Sequence, residues 1–491
     1  MTTGVPADAA KRRVLVIGAD GLRPDLFDRA LMPNVAALEA TGIRFADHHA
    51  AYPSHTRVNM SSLATGTAPG RHGIVANTML VAGATSDHVV DTSSYQHLDA
   101  LDRFSGGRAL FVPTLADLLA RQGERVAVAG TGSSGSNLLW TRNDRARIVN
   151  TGSAYGIADL YDLREKLGEI PEAAWPQVAR TRYAARAVTD LFLDDPRNRV
   201  VVVWFSEPDA SLHRFGLGAP ETIEAMRVVD EGVGEMVAAL ERSGLRDRFD
   251  VVFLSDHGHS TVRSHNSLRD YLIQAAADLG GHLPPLVTAS DFVYAEPGTP
   301  EPEPERLAPL VAWLYAQPWC DVVFAGQDGA EALPGVLPLA ALWNGATNPR
   351  RPLLAVSPRW SHEANAFGVP GTVSALTTQA ALKSSHGSAS PYDMHALMIA
   401  NGPSFREGIV SDVPTGAVDL APTLMTLLGL PAPEPLDGRV LWEGLRGEAR
   451  EALAAADTVL EPLVAGRRDD SPRLRLHQVG NTSYVHGSAV S

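Results

Sequence analysis

The chain has 491 residues, with 42 Lys and Arg against 56 Asp and Glu, a formal charge of −14 and a single cysteine, Cys320. The length allows a large catalytic domain with an inserted cap or a few smaller domains, while the acidic balance argues against affinity for nucleic-acid backbone or an acidic membrane surface. One cysteine excludes an intrachain disulfide and a cysteine-rich zinc module, but a small anionic substrate stays open because bound cations reverse a local field.

The first thirteen residues carry Lys11, Arg12 and Arg13 and run into a short apolar stretch, not into a signal-peptide core with a cleavage site. Nothing later has the length and charge-free character of a membrane span, so the expected location is the cytoplasm with no membrane partner.

Residues 14–19, VLVIGA, are an apolar run of strand length ending at Asp20, the pattern of a buried parallel strand that delivers a polar group at its carboxyl end. The same pattern recurs at 200–205, leading into Asp209, and at 251–254, leading into Asp256 and His257. Helical periodicity lies between, at 32–41, 112–122, 183–193 and 221–242, with Pro113 fitting a first turn and Gly244 a stop. Such alternation predicts a layered α/β domain, a sheet flanked by helices on both faces. In an open α/β sheet the carboxyl ends of the strands converge on one crevice, which would gather residues distant in sequence.

Residues 296–307 read EPGTPEPEPERL, too rich in proline and glutamate for a core element. They mark an exposed connection within an insertion. The expected division is 14–270 for the first part of the catalytic domain, 271–352 for an insertion or cap over the site mouth, 353–447 for the second part and 448–491 for a C-terminal extension. Pro422 sits near the start of a helix, 466–470 reads as a surface turn and 474–485 as a hairpin or strand pair. No short-period repeat is present.

The stretch YPSHTRVNMSSLATG at 52–66 reads as an extended approach followed by a helix from Thr56. A hydroxyl there can hold a phosphoryl group beside free backbone N–H groups, or simply cap the helix. Asp209 and His213, one helical turn apart, offer oxygen and nitrogen to a divalent metal from one face; Asp256 and His257 can aim at different parts of one site. For both pairs a buried ion pair is the plain alternative. His386 lies in a Ser/Gly-rich loop suited to delivering a ligand, and His259, His265 and His395 compete with it for that role.

Together these blocks resemble the alkaline phosphatase superfamily, particularly its nucleotide pyrophosphatase/phosphodiesterase branch. The resemblance is carried by VLVIGADGLRPD at 14–25, Thr56, Thr65-Gly66, HGIVAN at 72–77, PDASLH at 208–213, SDHG at 255–258, SHG at 385–387 and MHALMIANGP at 394–403, in the family's order. It implies an alkaline-phosphatase-like fold with two divalent metals, usually Zn2+, with Mn2+ or Fe compatible with the same ligands. Asp20, Asp256 and His257 would hold one metal, reached also by Thr56 as nucleophile, and Asp209, His213 and His386 the other. Asn77 would stand near a phosphate oxygen. The implied activity is hydrolysis of a phosphodiester or nucleotide pyrophosphate through a phosphothreonine-type intermediate, on a small phosphorylated or nucleotide-like substrate.

After Thr56 the chain has Arg57-Val58-Asn59-Met60, where the nucleotide-processing branch commonly has an aromatic residue that helps hold a base. Arg57 is therefore read as meeting an anionic group or facing solvent, and Trp140, Arg142, Arg145 and Tyr155 are further candidate substrate contacts. A phosphonoacetate-like phosphonate hydrolase is the nearest alternative activity, and a non-catalytic metal-binding protein the alternative of a different class.

Overall fold

The apolar runs become the centre of a nine-stranded sheet. Its order is Ile409–Ser411, Ile43–His49, His395–Asn401, Phe249–Leu254, Arg13–Ala19, Asn198–Phe205, Arg125–Gly130 and Arg147–Asn150, with Thr415–Gly416 also paired to Ile43–His49. The computed structural model describes residues 12–143, 146–152, 165–447, 454–464 and 472–489. Arg13–Ala19 pairs in parallel with Asn198–Phe205 on one side and Phe249–Leu254 on the other, and all three are buried throughout. His395–Asn401 runs antiparallel to both its neighbours.

Alternation along the central strands feeds two separate cores. Val14, Val16, Val200, Val202 and Trp204 face one, while Leu15, Ile17, Val201, Val203 and Phe205 face the other. Each fully buried Val, Leu or Ile contributes about 1.5–3 kcal/mol, so the strands that aim the catalytic candidates are held from both sides. This is a layered α/β architecture, as the alternation of strand and helix predicts. Among the described residues no helix is long and apolar enough to cross a membrane.

The helices fall at the expected places with adjusted ends. Pro33–Ala40, Leu115–Ala120, Val178–Ala187 and Pro220–Arg242 correspond to the four periodic stretches. Pro113 lies one residue before the cap, not inside the first turn: Thr114 is the N-cap, its hydroxyl accepting the Asp117 N–H while the Asp117 carboxylate accepts the Thr114 N–H at 2.9 Å.

Residues 286–358 build a second sheet of five strands, Leu286–Ala289, Phe292–Ala295, Leu354–Pro358, Cys320–Ala325 and Leu337–Pro338. It carries its own apolar cluster with helix Ala308–Tyr315. Leu354–Pro358, expected where the main fold resumes, instead pairs with Phe292–Ala295 and Cys320–Ala325. The chain then crosses a four-stranded sheet that includes Ser260–Asn266 and Ser384–Ser385 before it re-enters the main sheet at His395–Asn401. The second sheet docks beside the helix of Thr56: Trp343 Nε1 donates to Tyr52 O at 2.8 Å, and Arg350 donates to the carbonyls of Gly73 and Ala109 at 3.0 and 2.7 Å.

The C-terminal region forms a three-stranded antiparallel sheet, Ala455–Leu460, Leu474–Val479 and Thr482–Ser488, one strand more than the expected pair. The expected turn at 466–470 lies outside the described residues. Tyr484 fastens this sheet to the main fold by donating its hydroxyl to Asp419 Oδ2 at 2.8 Å, where the carboxylate also accepts the N–H groups of Gly416 and Arg439, each at 2.8 Å. Burial nevertheless pushes the Asp419 carboxyl up to about 6, against the pull of Arg439. A folded-state pKa above the unfolded value of about 3.9 means that the folded chain binds more protons between about pH 4 and about pH 6. The contribution of Asp419 to stability therefore falls as pH rises through that window. Asp419→Asn is expected to flatten this part of a Tm-against-pH profile; an unchanged slope would contradict the assignment.

Candidate active site

Three strand ends and one helix start meet at a single place. The Asp20 N–H donates to Phe205 O and the Asp209 N–H to Asp20 O, each at 3.0 Å, which locks the ends of two adjacent strands together. Asp209 opens the helix Asp209–Phe215, so His213 returns to its side one turn later. Asp256 and His257 follow Phe249–Leu254 after the single residue Ser255. Gly21, at φ +71°, permits the turn after Asp20 and donates its N–H to Asp256 Oδ1 at 3.2 Å; a Cβ there would come within 2.8 Å of the His259 ring.

Thr56 begins the helix Thr56–Thr65 after an extended His55, and no side chain caps that helix. Its hydroxyl lies 3.1 Å from His257 Nε2. His257 Nε2 in turn sits 3.4 Å from Asp20 Oδ1 and 3.4 Å from Asp256 Oδ2. Both carboxylate oxygens are buried without a hydrogen-bond partner, whereas Asp20 Oδ2 accepts the Trp204 indole N–H at 3.1 Å. Two orphaned, buried carboxylate oxygens facing one imidazole nitrogen are costly unless a cation joins them.

A second convergence surrounds Asp209. Its Oδ1 lies 2.6 Å from His259 Nε2, 3.4 Å from His213 Nε2 and 3.6 Å from His386 Nε2. Carbonyl partners fix the imidazole tautomers. His213 Nδ1 donates to Ser384 O at 2.7 Å, His386 Nδ1 to Ser54 O at 2.7 Å and His257 Nδ1 to Gly258 O at 2.9 Å. A ring that donates from Nδ1 presents Nε2 inward as a lone-pair donor, the orientation a metal ligand needs. The rings of His257 and His386 stack with centroids 3.7 Å apart, bridging the two convergences.

Electrostatics favour bound cations. Burial, then repulsion from Asp256 and Asp209, holds the Asp20 carboxyl well above the ordinary range, and burial likewise raises Asp256. Burial also opposes charge on Asp209, but the facing His213 and His259 outweigh it and hold that carboxyl well below its usual value. His386 is driven down by burial and by the neighbouring His257. A divalent ion would reverse the cost of ionising the carboxylates and would bind the neutral imidazoles directly. Donor atoms of Asp20, Asp256 and His257 lie within 4.8 Å of one another, as do those of Asp209, His257, His259 and His386. These clusters make a candidate metal-dependent site.

Asn77 enters from the side. Its Oδ1 accepts the Arg57 N–H at the helix start at 3.2 Å, which leaves the amide NH2 as a donor. The Asn77 N–H donates to His55 Nδ1 at 3.3 Å, and His55 Nε2 is 3.5 Å from Asp291 Oδ2 of the second sheet's region. Arg57 is partly buried beside Thr56, and its Nε has no hydrogen-bond partner.

Other candidate contacts lie elsewhere. Trp140 is buried, its ring centroid 6.2 Å from that of Trp204, so it packs behind the site. Arg142 reaches Asp99 at 3.4 Å and Asp102 at 3.5 Å, a structural tie to the helix Tyr95–Phe104. Arg145 and Tyr155 lie outside the described residues. His265 donates to Leu382 O at 3.0 Å and takes no part. His259, left open as a competitor to His386, joins it in the site; the Asp-His-Gly-His spacing at 256–259 was its available signal.

A layered α/β fold with clustered aspartates and histidines at its strand ends defines a protein of the alkaline phosphatase superfamily with a candidate metal centre. Within that class the model of the family "Type I phosphodiesterase / nucleotide pyrophosphatase" matches residues 14–306, and the chain belongs to this family. It is 25% identical over 445 residues to human ectonucleotide pyrophosphatase/phosphodiesterase family member 7, covering 89% of this chain and 84% of that protein. It is 27% identical over 261 residues to the Bos taurus bis(5'-adenosyl)-triphosphatase ENPP4, covering 52% of this chain and 49% of the relative. With the Crotalus durissus collilineatus venom phosphodiesterase CdcPDE it shares 24% identity over 266 residues, spanning only 28% of that protein. In structure it is similar to murine ectonucleotide pyrophosphatase / phosphodiesterase 5, solved as an inactive form in complex with AMP, with a TM-score of 0.61, 19% identity and coverage of 89% of this chain and 100% of that one.

Proposed function

We propose that the chain hydrolyses phosphodiesters or nucleotide pyrophosphates through Thr56, with two divalent metal ions, most favourably Zn2+. One observation carries this reading: the Thr56 hydroxyl, at an uncapped helix start, is 3.1 Å from His257 Nε2 beside the orphaned oxygens of Asp20 and Asp256. Asp20, Asp256, His257 and Thr56 would hold one ion, and Asp209, His213 and His386 the other, with His259 bearing on Asp209. When bound, such ions neutralise the carboxylates, acidify the Thr56 hydroxyl and offset charge on the phosphoryl and leaving oxygens.

Thr56 Oγ1, having lost its proton, forms a bond to phosphorus as the bond to the leaving oxygen breaks, giving a phosphothreonine-type ester. Water then attacks phosphorus on the opposite face and releases Thr56. The Asn77 amide and the free N–H groups at the helix start donate to the nonbridging oxygens as charge develops. The region 271–352 acts as a cap, a role supported by the approach of Asp291 to His55. A nucleotide-like substrate accords with the family and with the AMP complex of the murine relative. The test is steady-state hydrolysis of matched phosphodiester, phosphomonoester, nucleotide-pyrophosphate and phosphonoacetate substrates by the metal-reconstituted chain. Turnover of the first or third class is expected, and preference for phosphonoacetate would replace this reading with the phosphonate alternative.

Arg57 sets the expected substrate preference. Burial lowers its guanidinium pKa against the pull of Asp20, Asp91, Asp209 and Asp256, and a guanidinium keeps its charge in proteins. A cation in place of a flat ring favours an anionic substituent over a stacked base. Arg57→Ala is expected to lower kcat/KM about tenfold, about 1.4 kcal/mol, for substrates with a second anionic group and to change hydrolysis of phosphodiesters with uncharged substituents little. Equal losses on both would remove Arg57 from substrate recognition.

A further inference from the structure

A second group of histidines lies outside the site just described. Asp47 and His49 end the strand Ile43–His49, His395 stands opposite His49 in the antiparallel register, and His477 and His486 come from the C-terminal sheet. His49 Nε2 is 2.8 Å and His395 Nε2 3.2 Å from Asp47 Oδ1. His486 joins through ring centroids 4.7 Å from His477, 5.3 Å from His395 and 5.8 Å from His49. One donor atom from each of Asp47, His49, His395 and His486 lies within 4.8 Å of every other.

The backbone is shaped to bring these groups together. In the pairing with His395–Asn401 the register shifts between Ala396 and Met398, leaving an extra residue on the strand Ile43–His49 at the position of Ala46 and Asp47. In the C-terminal sheet the register shifts between Arg475 and Leu476, which makes His486 the extra residue between Val485 and Gly487. Bulges re-aim side chains, and here two of them turn a carboxylate and an imidazole toward one point between separate sheets.

The donors are also left incomplete. His49 Nδ1, His477 Nε2 and His486 Nδ1 are buried without hydrogen-bond partners, a cost that a cluster serving only packing would carry for no return. Burial pushes His49 down to about 4 and, with repulsion from the neighbouring histidines, His486 down to about 4.

We propose that Asp47, His49, His395 and His486 form a further, structural Zn2+ site that clamps the C-terminal sheet to the catalytic sheet, with His477 as its adjacent support. One carboxylate and three imidazoles are a closed four-ligand set suited to zinc, and modest side-chain rotation would bring the donors to the spacing of about 3.4 Å that Zn–N bonds of about 2.1 Å require. His477 Nδ1 lies 3.1 Å from Asp457 Oδ1 on the neighbouring strand, which orients that ring beside the site. The clamp is distinct from the catalytic candidates: none of its four ligands belongs to the Thr56 or Asp209 groups.

The test compares bound zinc between proteins, so it stands whatever the catalytic centre holds. Wild type, His395→Gln and His486→Gln are stripped with chelator, dialysed against Zn2+, passed through gel filtration and measured by elemental analysis. Wild type is expected to retain one equivalent more than either variant, while diester turnover is unchanged. Equal zinc in all three folded proteins would overturn the site. Should a variant fail to fold, a Zn2+-loaded crystal of the wild type decides: an anomalous peak between Asp47 and His486 is expected, and no peak there at full metal loading refutes the proposal.

Discussion

Thr56→Ala is expected to reduce diester turnover about 10⁴-fold, a loss of about 5 kcal/mol in transition-state stabilisation, while leaving fold and bound metal largely intact. The asymmetry follows from where Thr56 sits. Its side chain is small, stands at a helix start without capping it and makes its short contact to His257 Nε2 at 3.1 Å. Removal therefore deletes the attacking oxygen but none of the ties that set the ligands: Trp204 still holds Asp20, Gly21 still holds Asp256, and Gly258 O still orients His257. Acid-quenched wild type should carry a phosphoryl or nucleotidyl adduct on Thr56 by mass spectrometry, absent from the variant. Residual kcat/KM within tenfold of wild type, with metal content equal, would mean that water attacks directly and that Thr56 is only a helix-start residue.

Much of this arrangement was legible in the chain because buried parallel strands write themselves as short apolar runs. The three runs ending at Asp20, before Asp209 and at Asp256 became neighbouring strands, and their ends brought the acidic groups together as an open α/β sheet requires. Leu354–Pro358 shows the limit: an apolar strand does not state which sheet it joins, and this one pairs within the second sheet. Trp140 shows another, since an aromatic side chain that could contact substrate serves equally well as core, and here it packs on Trp204. Periodicity likewise cannot choose among histidines. His259 reaches Asp209 from the stretch between the strands Phe249–Leu254 and Ser260–Asn266, and His395 goes to Asp47 because a neighbouring strand presents it there. Both outcomes depend on strand order, which only the folded chain contains.

Asp209→Asn should separate metal binding from nucleophilic attack. Three imidazole nitrogens, from His259, His213 and His386, lie 2.6, 3.4 and 3.6 Å from the single oxygen Asp209 Oδ1. Asparagine keeps the size but removes the charge and offers one oxygen in place of two, so the three rings lose their anionic centre. The variant is expected to lose about one metal equivalent and about 10³-fold in kcat, about 4 kcal/mol, whereas Thr56→Ala loses turnover at unchanged metal content. Excess Zn2+ should restore part of the Asp209→Asn activity, because the imidazoles remain, and none of the Thr56→Ala activity, because no ion replaces the missing oxygen. The acid adduct on Thr56 gives a further distinction, since the Asn variant retains the nucleophile and should still form it slowly. Full metal content with kcat within about threefold of wild type would remove Asp209 from the ligand set and leave its histidine contacts as a buried ion-pair network.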